Sequence, residues 1–175
     1  MNDMKDTHAH AGPELPEDIP GFAGFGHVTL RGARNTRDLG GLPTTDGRTI
    51  AHGRLIRSGD LHKCTDEDIE LLRDGHDLAR VVDFRTAKER EGAPDPQDRM
   101  PGIDFIDLPV FSEAAVGITR EGGIAGDIAA LKRFSGNAHE TIRDLYVTCL
   151  LGEDGKRAYR EFFETLLAAE DGATL

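Results

Sequence analysis

The chain has 175 residues, 38% of them hydrophobic and 30% charged. These are the proportions of one ordinary domain, which buries roughly 70% of its unfolded surface without metal or disulfide staples. Its 32 acidic residues against 21 basic ones give a formal net charge of −11, a field that disfavours nucleic-acid and membrane-surface binding but leaves room for a local basic pocket for a small anion.

No window approaches the roughly 20 apolar residues of a membrane span, and the opening MNDMKDTHAHAGPELPEDIPG lacks the apolar core of a secretory signal. Two cysteines, Cys64 and Cys149, form no CxxC pair, and so few point to a reducing, cytoplasmic setting. Residues 1–20 are aperiodic and rich in Asp, Glu, His, Gly and Pro, the composition of a flexible acidic tail. His8 and His10 alone are a poor metal site, and no HxxxH, HExxH or His/Asp cluster follows, so neither metal nor cofactor is expected.

Residues 21–175 read as one domain. Val28 and Leu30 suggest a short strand entering the glycine-rich run RGARNTRDLGGL. In that run Gly40 and Gly41, like Gly59 further on, are expected in backbone conformations open mainly to glycine. Arg48–Ala51 and Arg54–Arg57 read as two further strands, the second ending in Ser58-Gly59-Asp60. Thr65 with Asp68 makes a capping box for a short helix over 66–73. The apolar run Ala79, Val81, Val82, Phe84 suits a strand buried on both faces. It ends in Asp83-Phe84-Arg85, and Thr86 with Glu89 caps the next helix. A Pro-rich loop precedes a strand over 103–110, and 112–136 reads as a partly helical excursion. Helices are expected over 138–151 and 154–169, the second with Ala158, Phe162, Thr165, Leu166 and Ala169 along one side.

Strands alternating with helices predict an α/β domain with a largely parallel sheet, whose ligands sit at the strands' carboxyl ends. Two such ends carry charge, Arg57-Ser58-Gly59-Asp60 and Asp83-Phe84-Arg85. An active site and a pair of salt-bridged loop starts fit that pattern equally well.

Four ordered motifs narrow the choice. Asn35 to Gly41, then Asp46 to Arg48, then Arg57 to Leu61, then Asp83-Phe84-Arg85 resemble the N-terminal part of the atypical bacterial tyrosine-protein phosphatases, whose members also act on phosphoserine or phosphoinositides. The resemblance runs from about residue 25 to the end and is weakest over 112–136. It implies a cysteine-phosphatase fold, in which a strand enters a His-Cys-x-x-Gly-Lys-Asp-Arg loop around the phosphate. A thiolate of depressed pKa attacks there, and backbone N–H groups with a bidentate Arg stabilise the transferring phosphoryl group.

Cys64 and Cys149 depart from that pattern. The residue six positions on is Glu70 in one case and Gly155 in the other, so neither begins a Cys-x5-Arg loop. Cys149 reads as a buried helical residue and Cys64 as a loop residue. In relatives the missing loop follows the long helix that here ends near Ala169. The expectation is therefore a domain cut before its catalytic loop, inactive as it stands, through truncation or as a pseudophosphatase remnant.

By resemblance Asp83 is the candidate general acid, with a cap or a pairing to Arg85 as the equally weighted alternative. Arg57 and Arg85 are candidate phosphate-site cations, and Asn35, Arg37 and Asp38 are candidate braces. A phosphorylated protein or small phosphomonoester is the implied partner if the loop were present. The competing reading is a non-catalytic module that binds a phosphorylated ligand or a protein.

Overall fold

The computed structural model of this chain describes residues 25–111, 138–169 and 171–175. The expected tail over 1–20 and the excursion over 112–136 lie outside the described residues.

Arg37–Asp38 (β1) and Ile56–Arg57 (β2) pair antiparallel, Arg37 opposite Arg57 and Asp38 opposite Ile56. β2 is shorter than the strand expected over 54–57, and β1 lies within the run that reads as a glycine-rich loop. The expected strand over 48–51 is a loop tied by a single bridge, Pro43 to Thr49, and the one at Val28–Leu30 is reduced to a bridge between His27 and Arg37. Turn chemistry prevails here: Asp46 accepts from Thr44 and Arg48 side chains, closing the loop on itself. Gly41 has a φ of +81°, and a Cβ on Gly40 would stand 2.4 Å from His52 Cα, so both positions require glycine. Gly59 has no such left-handed backbone.

Asp66–Glu70 (α1) starts at the expected Thr65–Asp68 capping box, then continues as a single π turn over Leu71–Gly75, where His76 N–H donates to Leu71 O. Leu78–Asp83 (β3) follows. Ala87–Gly92 (α2) starts at the Thr86–Glu89 box, a 3₁₀ turn spans Gln97–Arg99, and Asp104–Asp107 (β4) returns alongside β3. Ala138–Leu151 (α3) and Glu153–Ala168 (α4) precede Ala173–Thr174 (β5).

The sheet runs β4-β3-β5, parallel throughout. A parallel bridge from Thr174 to Leu55 brings the start of β2 against the far edge of β5. The fold is thus α/β, a largely parallel sheet flanked by helices. Alternate β3 side chains enter different cores. Val81 packs with Ile56, Leu61, Ile69, Leu72 and Met100, while Val82 packs with Leu108, Val110 and Ala158. That explains the unbroken apolar run. Each fully buried Leu, Ile or Met contributes about 2 kcal/mol of hydrophobic free energy. Gly172, with a φ of +75°, makes the turn into β5, where a Cβ would meet Ala79 Cβ at 2.4 Å.

Asp68 does more than cap α1. Its buried carboxylate accepts from Thr65 N–H at 3.0 Å and also from Arg31 and Gly32 N–H at 2.8 Å, which pins the loop before β1 onto the helix. Burial pushes its pKa up, but the three amide donors outweigh burial and hold it below the ordinary Asp value.

Asp68→Ala leaves those amides unsatisfied and should cost about 3 kcal/mol in urea unfolding at neutral pH. The carboxylate's contribution is fully present above the unfolded Asp pKa and is lost as pH falls through the lowered folded value, so the deficit should shrink in acid. A variant as stable as the parent at pH 7 would overturn this role.

Candidate functional site

The parallel register places three strand ends together. Leu55 lies beside Thr174, Thr174 beside Arg80, and Asp83 beside Asp107. The carboxyl ends of β2, β3 and β4 therefore face the same way, which is where parallel sheets bind ligands. Both charged segments singled out in the sequence, 57–60 and 83–85, sit at this end.

At the end of β3 the Asp83 side chain is buried and Arg85 forks onto it. Arg85 Nε reaches Asp83 Oδ2 at 2.9 Å and Nη2 reaches the same oxygen at 2.6 Å, while the Arg85 amide donates to Oδ1 at 2.8 Å. The pairing of these two residues, one of the two alternatives for Asp83, is thus present. Arg85 Nη2 also meets Asp95 Oδ1 at 2.9 Å, and Nη1 donates to Ala93 O. One guanidinium therefore serves two buried carboxylates.

Their titration differs because the geometry differs. Burial raises Asp83, but the side-chain and backbone hydrogen bonds from Arg85 prevail and hold it below the ordinary Asp value. Burial also raises Asp95, the single Arg85 contact does not compensate, and the Asp83 charge adds to the rise. Asp83 therefore gives up its proton more readily than Asp95.

Arg90 braces the cluster from α2, donating to the Arg85 carbonyl and meeting Asp107 Oδ2 at 3.2 Å. A cavity of about 270 Å³ opens beside it, lined by Arg90, Pro94, Asp95, Gln97, Asp98 and Asp107. With three carboxylates against one guanidinium, this cavity is not a cradle for an anion.

The other predicted residues form a second group. Asn35 sits in a left-handed turn with a φ of +63°, a conformation Asn tolerates better than most residues. Thr36, fully buried, shares a hydrogen bond of 2.8 Å with Ser58 and donates to Ala33 O, tying β1 to the loop after β2. Asp38 accepts from Gly40 N–H at 2.8 Å and Gly53 N–H at 2.9 Å, clamping both ends of the glycine loop. Arg57 is exposed and stands beside Arg37, with no hydrogen bond or ion pair from it to Asp83, Arg85 or Asp95 among the described residues.

Asp95 and Thr36 escaped the sequence reading. Asp95 lies in a Pro-Asp-Pro loop that reads as a turn, and Thr36 hides inside the Asn35–Gly41 motif. No local pattern announces that a loop carboxylate folds back under a strand end.

Both thiols are shifted away from the thiolate. Cys64 is buried in the core, and burial and then Asp68 push its thiol up to about 11. Cys149 is half-buried rather than fully buried, beside the Val82 cluster, and burial raises it too. Thiols raised in this way stay protonated at neutral pH.

Comparison with known proteins gives two matches. A model of the tyrosine phosphatase family covers residues 28–175. A protein of Cupriavidus necator, provisionally named a tyrosine-protein phosphatase, is 46% identical over 145 residues, which cover 81% of this chain and 46% of that protein. The chain spans about half the length of this curated relative.

The cluster makes opposite forecasts for its two carboxylates. Asp83→Ala should lose about 3 kcal/mol in denaturant unfolding at pH 7, since it breaks a buried pair and leaves Arg85 half-satisfied. Asp95→Asn should be neutral or slightly stabilising at pH 7, because Asn keeps an acceptor for Arg85 and removes a carboxylate that burial disfavours. The raised folded pKa of Asp95 means that the parent gains on the variant as pH falls through that value. Equal costs for the two substitutions at pH 7 would contradict this division.

Proposed function

The chain belongs to the tyrosine phosphatase family, and from that premise we propose that its 175 residues form the framework of a phosphoric monoester hydrolase whose nucleophile is neither Cys64 nor Cys149. The observation that carries this reading is the alignment of strand ends. β5 runs parallel between β3 and Leu55, in the place from which the family pattern sends a strand into the phosphate loop, with the Asp83–Arg85 pair beside it. The domain occupies 21–175 and residues 1–20 are its acidic tail. A cytoplasmic setting agrees with the sparse cysteines.

The residue roles follow from the geometry. Arg85 follows the end of β3 by two residues and forks onto Asp83, and a phosphoryl dianion arriving there competes with Asp83 for that fork. As the guanidinium turns to the dianion, buried Asp83 loses the partner that keeps it ionised. Its pKa then climbs toward the range in which a carboxyl group can hand a proton to a leaving oxygen. Asp95 retains its hold on Arg85 and limits how far it swings. Asn35, Arg37, Asp38 and Arg57 act through the backbone, as the ribbon and turn that carry Ser58 and Gly59 to this end of the sheet. The substrate class is a phosphorylated protein or a small phosphomonoester.

A second reading, a module that binds a phosphorylated ligand without chemistry, is favoured by one specific observation: both thiols are raised, and neither has an Arg six residues on. Under either reading these 175 residues have no thiolate-dependent turnover of their own. Incubated with an aryl phosphate, the purified chain should release phenol no faster than buffer, and Cys64→Ser and Cys149→Ser should behave identically. Turnover that either substitution abolishes would overturn the assignment. Phosphopeptide titration separates the two readings, and absence of binding at about millimolar ligand, a free energy near −4 kcal/mol, would sink the binding module.

A further inference from the structure

The cavity beside Arg90 carries a charge that the strand-end cluster leaves unanswered. At about 270 Å³ it has room for one side-chain head group rather than for a whole organic ligand. The most buried carboxylate lining it is Asp95, whose side chain is 6% exposed against 52% for Asp107. Asp95 Oδ1 takes the contacts from Arg85 Nη2 at 2.9 Å and from Leu61 N–H at 3.4 Å. Among the described residues Oδ2 accepts no hydrogen bond, and none of their side-chain oxygens is both sealed from solvent and unpartnered. Oδ2 is therefore open, on a side chain otherwise buried, and the cavity is the opening that Asp95 lines.

The other walls add negative charge. Asp107 is paired with Arg90 at 3.2 Å, whereas Asp98, exposed in the 3₁₀ turn, has no hydrogen bond or ion pair among the described residues. Gln97 N–H donates to Asp95 O at 2.8 Å and holds that turn against Asp95. Asp83, Asp95, Asp98 and Asp107 thus face two guanidinium groups, those of Arg85 and Arg90. A buried carboxylate with half a partner favours a further cation, and burial accordingly raises Asp95 above the ordinary Asp value. A guanidinium fits an open carboxylate through parallel N–H donors, and an ammonium fits it as a point charge. Asp95 is shared between the cavity and the cluster, so a cation that engages Oδ2 weakens its hold on Arg85. Arg85 then turns more easily to a phosphoryl group beside Asp83.

We propose that this cavity is a subsite for one cationic side chain, arginine or lysine, carried by the phosphorylated partner next to its phosphate. The identity of that partner rests on the phosphate role given to Arg85, whereas the cation subsite itself does not. By reciprocity, the cation and the phosphoryl group each strengthen the binding of the other.

Two measurements on the full 175-residue chain test it. In the first, N-acetylarginine amide or N-acetylalanine amide is added at constant ionic strength while the Gln97 side-chain amide and Arg90 Nε–Hε NMR signals are followed. The arginine compound alone should shift both signals and saturate. Asp98→Lys, on an exposed turn, sets a competing cation at the cavity and should abolish the shifts. Glu67→Lys, the same change of charge on exposed α1 surface, should leave them. In the second, a phosphotyrosine peptide flanked by arginine should bind about tenfold more tightly than its alanine-flanked counterpart, and Asp98→Lys should erase most of that preference. The subsite is overturned if the arginine compound moves neither signal, or if Asp98→Lys and Glu67→Lys behave alike. Equal affinity for the two peptides overturns the assignment of the partner. Shifts at the cavity with no binding of either peptide at about millimolar concentration would retain the subsite and overturn the phosphate role of Arg85.

Discussion

Ala173, Thr174 and Leu175 are hydrogen-bonded along both edges. Ala173 N–H donates to Asp77 O at 2.7 Å, Leu175 N–H to Arg80 O at 3.0 Å, and Val82 N–H to Leu175 O at 2.7 Å, while Thr174 N–H turns the other way to Arg54 O at 3.0 Å. Buried backbone groups must find partners, and these three residues meet that demand for two separate pieces of chain at once. Without them, among the described residues, β3 would have an open edge and the ribbon of β1 and β2 would lose its backbone link to the sheet at Thr174. The joint orientation of the strand ends at Arg57 and Asp83 depends on this link.

The strand-end cluster shows how one cation can divide two acids. Asp83 receives the fork of Arg85 and its backbone amide, whereas Asp95 receives one guanidinium nitrogen and a long contact of 3.4 Å from Leu61 N–H. Both are buried, so desolvation acts alike on each, and the number and geometry of donors decides that Asp83 is lowered and Asp95 raised. The result is a guanidinium held by two unequal partners, an arrangement that an incoming anion can disturb on one side while the other holds. Arg90 and Asp107 tie the same unit to β4.

Charge in this molecule is organised by faces rather than by total. The net value of −11 describes the whole surface, yet the ribbon places His27, Arg37 and Arg57 in one line and sends Asp38 to the other side. Alternation along a strand makes this possible, because neighbours in sequence such as Arg37 and Asp38 point to opposite faces. A count of acidic and basic residues therefore says which partners the molecule as a whole repels, and nothing about which side chains a strand face brings side by side.

The sequence by itself determined the parts that rest on local physics. The two capping boxes at Thr65 and Thr86, the two-faced strand ending at Asp83, the long helices before the last turn and the family to which the motifs belong were all legible, because each is written within a few residues or in an ordered set of short motifs. The short strands were read less well. Residues 48–51 became a loop because Asp46 and Thr44 offer its backbone a turn, and Asp68 acquired the loop at Arg31 and Gly32 as well as its own helix. Only the tertiary structure decided which charges meet. Asp95 reaches Arg85 across ten residues of chain, and Arg57 stands beside Arg37 across twenty, because packing against the shared core brings those segments together. Ion-pair geometry and burial set the titration of Asp83 and Asp95, and both are properties of the folded neighbourhood rather than of residue order.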